Sequence, residues 1–386
     1  MVEFNMEVFM PRPSSKAAIM LAAITLSAAS ARAANLAVPL LEIITKGGME
    51  GGAFALDSRV HMDILMEGGV KFGGKLGFSF DSDSIEDAIL AGEALPLGFR
   101  SAQVTVRDIF ALPLDLNFFV GQGDLFCDGG DFPARFGSVP FATSLKGYTY
   151  FPRGVGGEGE LYYEGLHRVS GTGISVTGTK SEGGLVPAFY LYQDGNIGSG
   201  GVFSFDARLL VNAGAVKMDV FGGATFPASL YGLYRAGLLF FASGDIGEFY
   251  AQIGMTRWDP AESLGIDNFY FLFEPRIKMG FGTVLLTLFY HPRYYMQKTY
   301  DSERGAADVN INLLFGELSR DAMQGGVETS IAFRSTQAME QLGLKVSPYF
   351  SFVSSGIRWD LKLNLNVLPW DLNRLITAFV GIRTEF

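Results

Sequence analysis

Hydrophobic and polar residues take turns along most of this chain. In residues 70–80, Val70, Phe72, Leu76, Phe78 and Phe80 fill one set of alternate positions, and Lys71, Lys75 and Ser79 fill the other. Residues 53–66 repeat the pattern, with Phe54, Leu56, Val60, Met62, Ile64 and Met66 against Asp57, Arg59, His61 and Asp63. Successive side chains of an extended strand point to opposite faces, so a period of two predicts strands with one greasy face and one wet face.

The pattern recurs far down the chain. Phe203, Phe205, Ala207, Leu209 and Val211 oppose Ser204, Asp206, Arg208 and Asn212; Val216, Met218, Val220 and Phe226 oppose Lys217, Asp219 and Thr225. Phe269, Phe271, Phe273, Ile277, Met279 and Phe281 oppose Glu274, Arg276 and Lys278. Ile357, Trp359, Leu361, Leu363 and Leu365 oppose Arg358, Asp360, Lys362 and Asn364. In residues 161–180 and 231–241 the alternation is indistinct.

The connections alternate as well. Counting from the strand at residue 53, odd-numbered connections run to about three to nine residues, as at 67–69, 212–215 and 354–356, and the intervening ones are mostly longer. The longer ones include residues 81–98, 121–160, 257–268 and 292–308. A strand preceding residue 53 is required by this parity, and residues 36–44 supply it. Residues 84–95 read as a helix, with Ser84 as N-cap and Asp87 three residues on. Leu-Pro-x-Asp-Leu-Asn occurs at 112–117 and again at 368–373, where Pro fixes φ and Asp caps a turn, so both copies read as strand starts.

Residues 374–386 read RLITAFVGIRTEF. Ile376, Ala378, Val380, Ile382, Thr384 and Phe386 share one face, and Thr377, Gly381, Arg383 and Glu385 share the other. An apolar face ending on a C-terminal Phe resembles the closing strand of bacterial outer-membrane β-barrels. The resemblance implies an all-β fold, a transmembrane antiparallel up-and-down β-barrel of about 16–18 strands, with short periplasmic turns and longer outer loops. It also implies that Phe386 is the signal read by the outer-membrane assembly machinery. In such barrels a connection as long as residues 121–160 either stays outward or folds into the lumen.

Composition narrows the picture. Of 386 residues, 48% are hydrophobic and 49 are Gly, so the chain can bury enough surface to order itself but is too interrupted to be helical. Residues 1–33 read as a signal peptide. Arg12 and Lys16 precede an apolar stretch from Ala17 to Ser30, and Ala31-Arg32-Ala33 is an A-x-A cleavage site. Glu3 and Glu7 are out of place in a basic leader start, which makes Met10 an alternative first residue. Beyond the leader no apolar run approaches the ~18 residues of a transmembrane helix, so residues 34–386 would cross a bilayer as a closed barrel.

The net charge is −10, and the leader contributes three cations against two carboxylates, or +1, leaving −11. That balance argues against nucleic acid as a partner. The single Cys127 excludes an intramolecular disulfide.

The wet faces collect Asp57, Arg59, Asp63, Lys71, Lys75, Asp206, Arg208, Lys217, Asp219, Glu274, Arg276, Lys278, Arg358, Asp360 and Lys362. In a barrel of this size they are candidate pore-lining residues, and their mixed signs predict weak ion selectivity. No catalytic site is expected: His61, His167 and His291 are scattered, and His167 with Ser170 lacks an orienting group and an oxyanion site. No metal or cofactor is expected either. Asp124, Asp128 and Asp131 surround Cys127 as turn carboxylates, and their spacing matches no EF-hand loop. Tyr148 with Tyr150, Tyr162 with Tyr163, Tyr190 with Tyr192, and Tyr294 with Tyr295 read as interfacial girdles.

Bacterial outer-membrane localisation and a porin-like channel for small hydrophilic solutes follow as expectations, with membrane lipids and the diffusing solutes as partners. Porins commonly form homo-oligomers, and nothing in the sequence marks an interface. Two alternatives stand beside the channel. One is a transporter of hydrophobic compounds, similar to the fatty-acid transporter family, although residues 34–52 are too few for that family's hatch. The other is a surface adhesin or structural barrel working through residues 121–160. A secreted β-sandwich is the soluble alternative, and it would require the apolar faces to converge on one core.

Overall fold

The computed structural model describes residues 35–50, 53–82, 97–144, 165–179, 184–195, 201–227, 229–291, 294–295, 298–299, 306–316, 323–335, 340–371 and 375–384. The leader, the expected helix at 84–95, and Phe386 lie outside the described residues.

Eighteen strands close into one antiparallel sheet. In chain order they begin with β1 (Asn35–Glu50), β2 (Ala53–Gly68), β3 (Phe72–Ser82), β4 (Leu97–Val106), β5 (Leu114–Phe126) and β6 (His167–Gly178). There follow β7 (Leu185–Asp194), β8 (Phe203–Ala213), β9 (Val216–Phe226), β10 (Leu233–Gly244), β11 (Gly247–Trp258), β12 (Phe269–Met279) and β13 (Gly282–His291). A two-residue pair outside the barrel, β14 (Tyr294–Tyr295) and β15 (Lys298–Thr299), interrupts the series. The wall then resumes with β16 (Ala306–Gly316), β17 (Gln324–Ser335), β18 (Glu340–Ser354), β19 (Ile357–Leu368) and β20 (Ile376–Thr384).

Each wall strand pairs with its neighbours in the wall, and β20 returns to β1, with Leu41 opposite Thr384 and Gly48 opposite Thr377. Closure leaves no free sheet edge, which is the condition for a sheet to sit in hydrocarbon. Four hairpins of one rim turn in two residues, at 214–215, 245–246, 280–281 and 355–356. The opposite rim carries most of the long connections, including 83–96, 127–166 and 292–305.

The two faces of the wall invert the order of a soluble protein. Phe205, Phe273 and Leu361 are 41–52% exposed, while their neighbours Asp206, Glu274 and Asp360 are fully buried. Strand after strand repeats this, so the outside is one continuous apolar belt. Soluble monomers rarely expose more than a few hundred Å² of contiguous apolar surface. A belt of this extent calls for lipid.

Inside, the arc from β5 to β13 carries a core of its own. Phe126, Phe132, Phe141, Tyr192, Phe221, Leu239, Tyr250 and Tyr270 pack together within the lumen, joined by the start of the long β5–β6 connection. Tyr190 and Tyr192 belong to this core at 3% and 1% exposure. Their expected place in an interfacial girdle is corrected: they face inward, and each hydroxyl reaches a carboxylate, Asp124 for Tyr190 and Asp206 for Tyr192. The second Leu-Pro-x-Asp-Leu-Asn copy is also corrected. Leu368 ends β19 rather than opening a strand, whereas Leu114 of the first copy does open β5.

Candidate functional site: the inner wall and the segment folded against it

The described part of the long connection, residues 127–144, runs across the inside of the barrel. It leaves β5 at Cys127, which has φ 58°, and turns through Gly129 at φ 81°. A Cβ at Gly129 would meet the Phe141 carbonyl oxygen at 2.6 Å, so the turn and the returning chain lie too close for any side chain. A short helix, α1 (Asp131–Phe136), follows and is ended by Gly137, whose N–H bonds the Pro133 carbonyl at 2.8 Å.

Polar anchors fix this segment at both ends. At its start, the Cys127 N–H donates to Asp219 Oδ2 at 2.6 Å, and Gln252 donates to the Cys127 carbonyl. Arg208 bridges wall and segment, with Nε and Nη2 on Asp219 at 2.9 and 2.7 Å and Nη1 on Asp131 at 2.5 Å. At its end, Thr143 Oγ1 donates to Glu274 at 2.7 Å, and Ser144 donates through both its N–H and its hydroxyl. Arg276 pairs with Glu274 at 2.6 Å and with Glu248 at 3.0 Å, and also donates to the Ala142 carbonyl. Glu274 and Asp219 are fully buried, so each pair has exchanged water for the other. Removing one member of such a pair costs about 3–5 kcal/mol, because the survivor stays buried and uncompensated.

Burial, with the nearby Asp124 and Asp128 carboxylates, pushes the Asp131 carboxyl up to about 6, while the Arg208 guanidinium pulls it down. The buried Cys127 thiol is likewise pushed up, by desolvation first and by Asp219 second. Asp124, Asp128 and Asp131 each have a protein partner, respectively the Tyr190 hydroxyl, the Gly130 N–H and Arg208. Among the described residues no cluster of His, Cys, Asp and Glu has metal-holding geometry.

A second network lies on the same arc. Arg235 grips Asp206 through Nε at 2.7 Å and Nη2 at 2.9 Å, and donates to Thr225 at 2.6 Å. The Tyr192 hydroxyl donates to Asp206 at 2.8 Å, and His167 Nε2 stands 3.2 Å from the same carboxylate. His167 thus joins the Asp206 network of the inner wall.

The remaining candidates are spread around the barrel. Asp63 accepts from Arg100, and Lys362 donates to Glu328 at 2.8 Å. Arg358 pairs with Asp360 at 2.9 Å. Lys217 donates to the Gly214 carbonyl at 3.1 Å and overlies the Phe141 and Phe241 rings at 5.7 and 5.5 Å. Lys278 reaches Glu248 at 3.6 Å, and Arg59 lies 3.9 Å from Asp57 on β2. Lys71 sits in the β2–β3 turn and donates to the Asp108 carbonyl, while Lys75 faces the short-turn mouth. Arg100, Arg235, Glu248, Gln252, Glu328, Thr143 and Ser144 escaped sequence reasoning. For Arg235 the missing signal is specific: its strand is apolar on both faces, Leu238 and Phe240 alternating with buried Leu239 and Phe241.

Neither a family model nor a curated protein sequence matches this chain. Solved structures do resemble it. Wzi of Escherichia coli, described as an outer-membrane protein involved in group 1 capsule assembly and a carbohydrate-binding β-barrel, aligns with a TM-score of 0.50 and 13% identity, over 97% of this chain and 90% of Wzi. A mutant porin of Rh. blastica aligns with a TM-score of 0.49 and 13% identity, over 92% of this chain and all of the porin. A second mutant of that porin gives a TM-score of 0.48 at the same identity and coverage. At this identity the likeness to Wzi speaks for fold alone. The chain has the fold of a closed β-barrel, 18-stranded, antiparallel and up-and-down, similar to that of Wzi.

Proposed function

We propose that this protein resides in the bacterial outer membrane and passes small hydrophilic solutes by diffusion, with residues 127–144 narrowing the lumen. One observation carries the reading: the inward face is polar and charged, from Asp63 and Arg100 on one arc to Glu328 and Lys362 on another. Barrels of 16–18 strands typically enclose more space than their wall side chains fill, so a wet lining implies a water path. The segment occupies the β5–β13 side, docked on Arg208, Asp219 and Glu274. Solutes would pass on the opposite side. A route for hydrocarbons suits this lining less well, since desolvating its ion pairs offers a greasy solute nothing in return.

In the same reading, Phe386 is the signal for assembly, and its deletion lowers the amount of folded barrel in outer-membrane fractions. Single-channel recording of the refolded protein in planar bilayers tests the channel. Discrete conductance steps with weak ion preference are expected, and an absence of steps at every voltage removes the open pore.

A further inference from the structure

Most charged side chains inside this barrel are neutralised by a partner across the wall. Arg208 has Asp219, Arg235 has Asp206, Arg276 has Glu274, and Lys362 has Glu328. The short-turn mouth breaks the rule. A cavity of about 420 Å³ lies there between the inner wall and α1, and Glu67, Lys75, Asp115 and Arg135 all line it. Glu67 of β2 stands directly opposite Lys75 of β3, which in turn stands opposite Gln103 of β4. Asp115 enters from the start of β5, as its second residue, and Arg135 comes from the last turn of α1. Among the described residues, none of these four charged side chains has an ion-pair or hydrogen-bond partner, and the Asp115 Oδ1 atom is buried without one. The fifth charge at the rim, Arg107, is already engaged, donating to the Gly69 and Val70 carbonyls at 2.8 and 2.5 Å.

Four unpaired charges, two of each sign, around one cavity of this size define what fits it. The neutral part of the lining is a fixed row of dipoles: Gln103 and Thr105 both donate to Asn117 Oδ1 at 2.8 Å, and Asn117 donates onward to Ser175 at 3.1 Å. Among the described residues that line it, Val70 is the one apolar side chain and none is aromatic. A hydrocarbon gains nothing there, and a sugar ring finds no stacking platform. A lone anion would satisfy Lys75 and Arg135 but crowd Glu67 and Asp115; a lone cation would do the reverse. A solute with both charges satisfies both pairs.

We propose that the mouth cavity is a binding site for small zwitterions, free amino acids or short peptides, whose carboxylate lies between Lys75 and Arg135 and whose ammonium lies between Glu67 and Asp115. The site belongs to the wall and helix, so a barrel that conducts nothing would still carry it.

Calorimetric titration of the full-length protein in detergent micelles tests this with three probes: glycylglycine, its N-acetyl form and its C-terminal amide. Saturable binding of glycylglycine is expected, weakened roughly tenfold or more by blocking either end, since each block removes a charge-assisted contact. Glu67→Gln is expected to narrow the difference between glycylglycine and its N-acetyl form, Asp115 alone remaining for the ammonium, and Lys75→Ala to narrow that between glycylglycine and its amide, Arg135 alone remaining for the carboxylate. No saturable heat with glycylglycine overturns the proposal. So does equal binding of the N-acetyl form, which would make the cavity a plain anion site. The probe comparison uses the unaltered protein, so the outcome does not hinge on any variant folding. Bilayer conductance, measured separately, reports on the channel alone.

Discussion

Ser144 and Glu274, 130 residues apart, meet inside the barrel, where the Ser144 N–H and hydroxyl both donate to one carboxylate oxygen, at 3.0 and 2.8 Å. The same oxygen also takes the Thr143 hydroxyl at 2.7 Å and the Thr287 hydroxyl at 2.9 Å, and the other oxygen takes Arg276. One buried carboxylate thereby ties the far end of the 127–144 segment to β12 and β13.

Glu274→Ala should release that end. Arg276 would keep Glu248 and the Ala142 carbonyl but lose the Glu274 carboxylate, while Thr143, Ser144 and Thr287 would lose their shared acceptor. The expected outcome is a larger single-channel conductance and faster proteolytic cleavage within residues 127–144. A variant with unaltered conductance and unaltered protease resistance would mean that the aromatic core alone holds the segment.

Cys127 reports on the same docking from the other end. Its side chain is fully buried and its thiol is pushed up by desolvation and by Asp219, so little nucleophilic thiolate is present. Maleimide should leave the folded protein unlabelled while labelling the denatured chain completely, as read by intact mass. Arg208→Ala removes the bridge to Asp131 and should speed the reaction by an order of magnitude or more, roughly the population shift expected for about 1.4 kcal/mol.

Asp206→Asn probes the second network. The Arg235 guanidinium would keep its place with a neutral amide in front of it, and the barrel should lose about 3–5 kcal/mol in urea unfolding from vesicles. Asp57→Asn is the matched control. Its pair with Arg59 is 3.9 Å long and 41–48% exposed, so a change within about 1 kcal/mol is expected.

The outer belt makes its own prediction. Phe273→Arg places a charge midway along β12 on the apolar face and should destabilise the barrel in bilayers by about 2–4 kcal/mol. The same variant in detergent micelles, where the charge can reach water, should be affected less. Equal losses in both would argue that Phe273 does not face hydrocarbon.

Where alternation was clean, the wall could be read from the chain alone. Val216–Phe226 and Ile357–Leu368 are strands whose inward Lys, Arg and Asp side chains fall on the wet face by position alone. The two stretches without clear alternation, 161–180 and 231–241, lack it for different physical reasons. On β10 the inward Leu239 and Phe241 pack in the inner core rather than against water, so both faces are apolar. On β6 polar residues fall on both faces, His167, Ser175 and Thr177 on one and Arg168, Ser170 and Thr172 on the other.

The sequence by itself determined that this chain is a closed sheet with a greasy outside, because a two-residue period and the short connections are local properties that each strand carries within itself. It could not determine which inward charges share a partner, that Ser144 reaches Glu274, or that Glu67, Lys75, Asp115 and Arg135 meet at one mouth. Those contacts join residues far apart in the chain, and their distances exist only once the eighteenth strand has paired with the first and residues 127–144 have taken one side of the space enclosed.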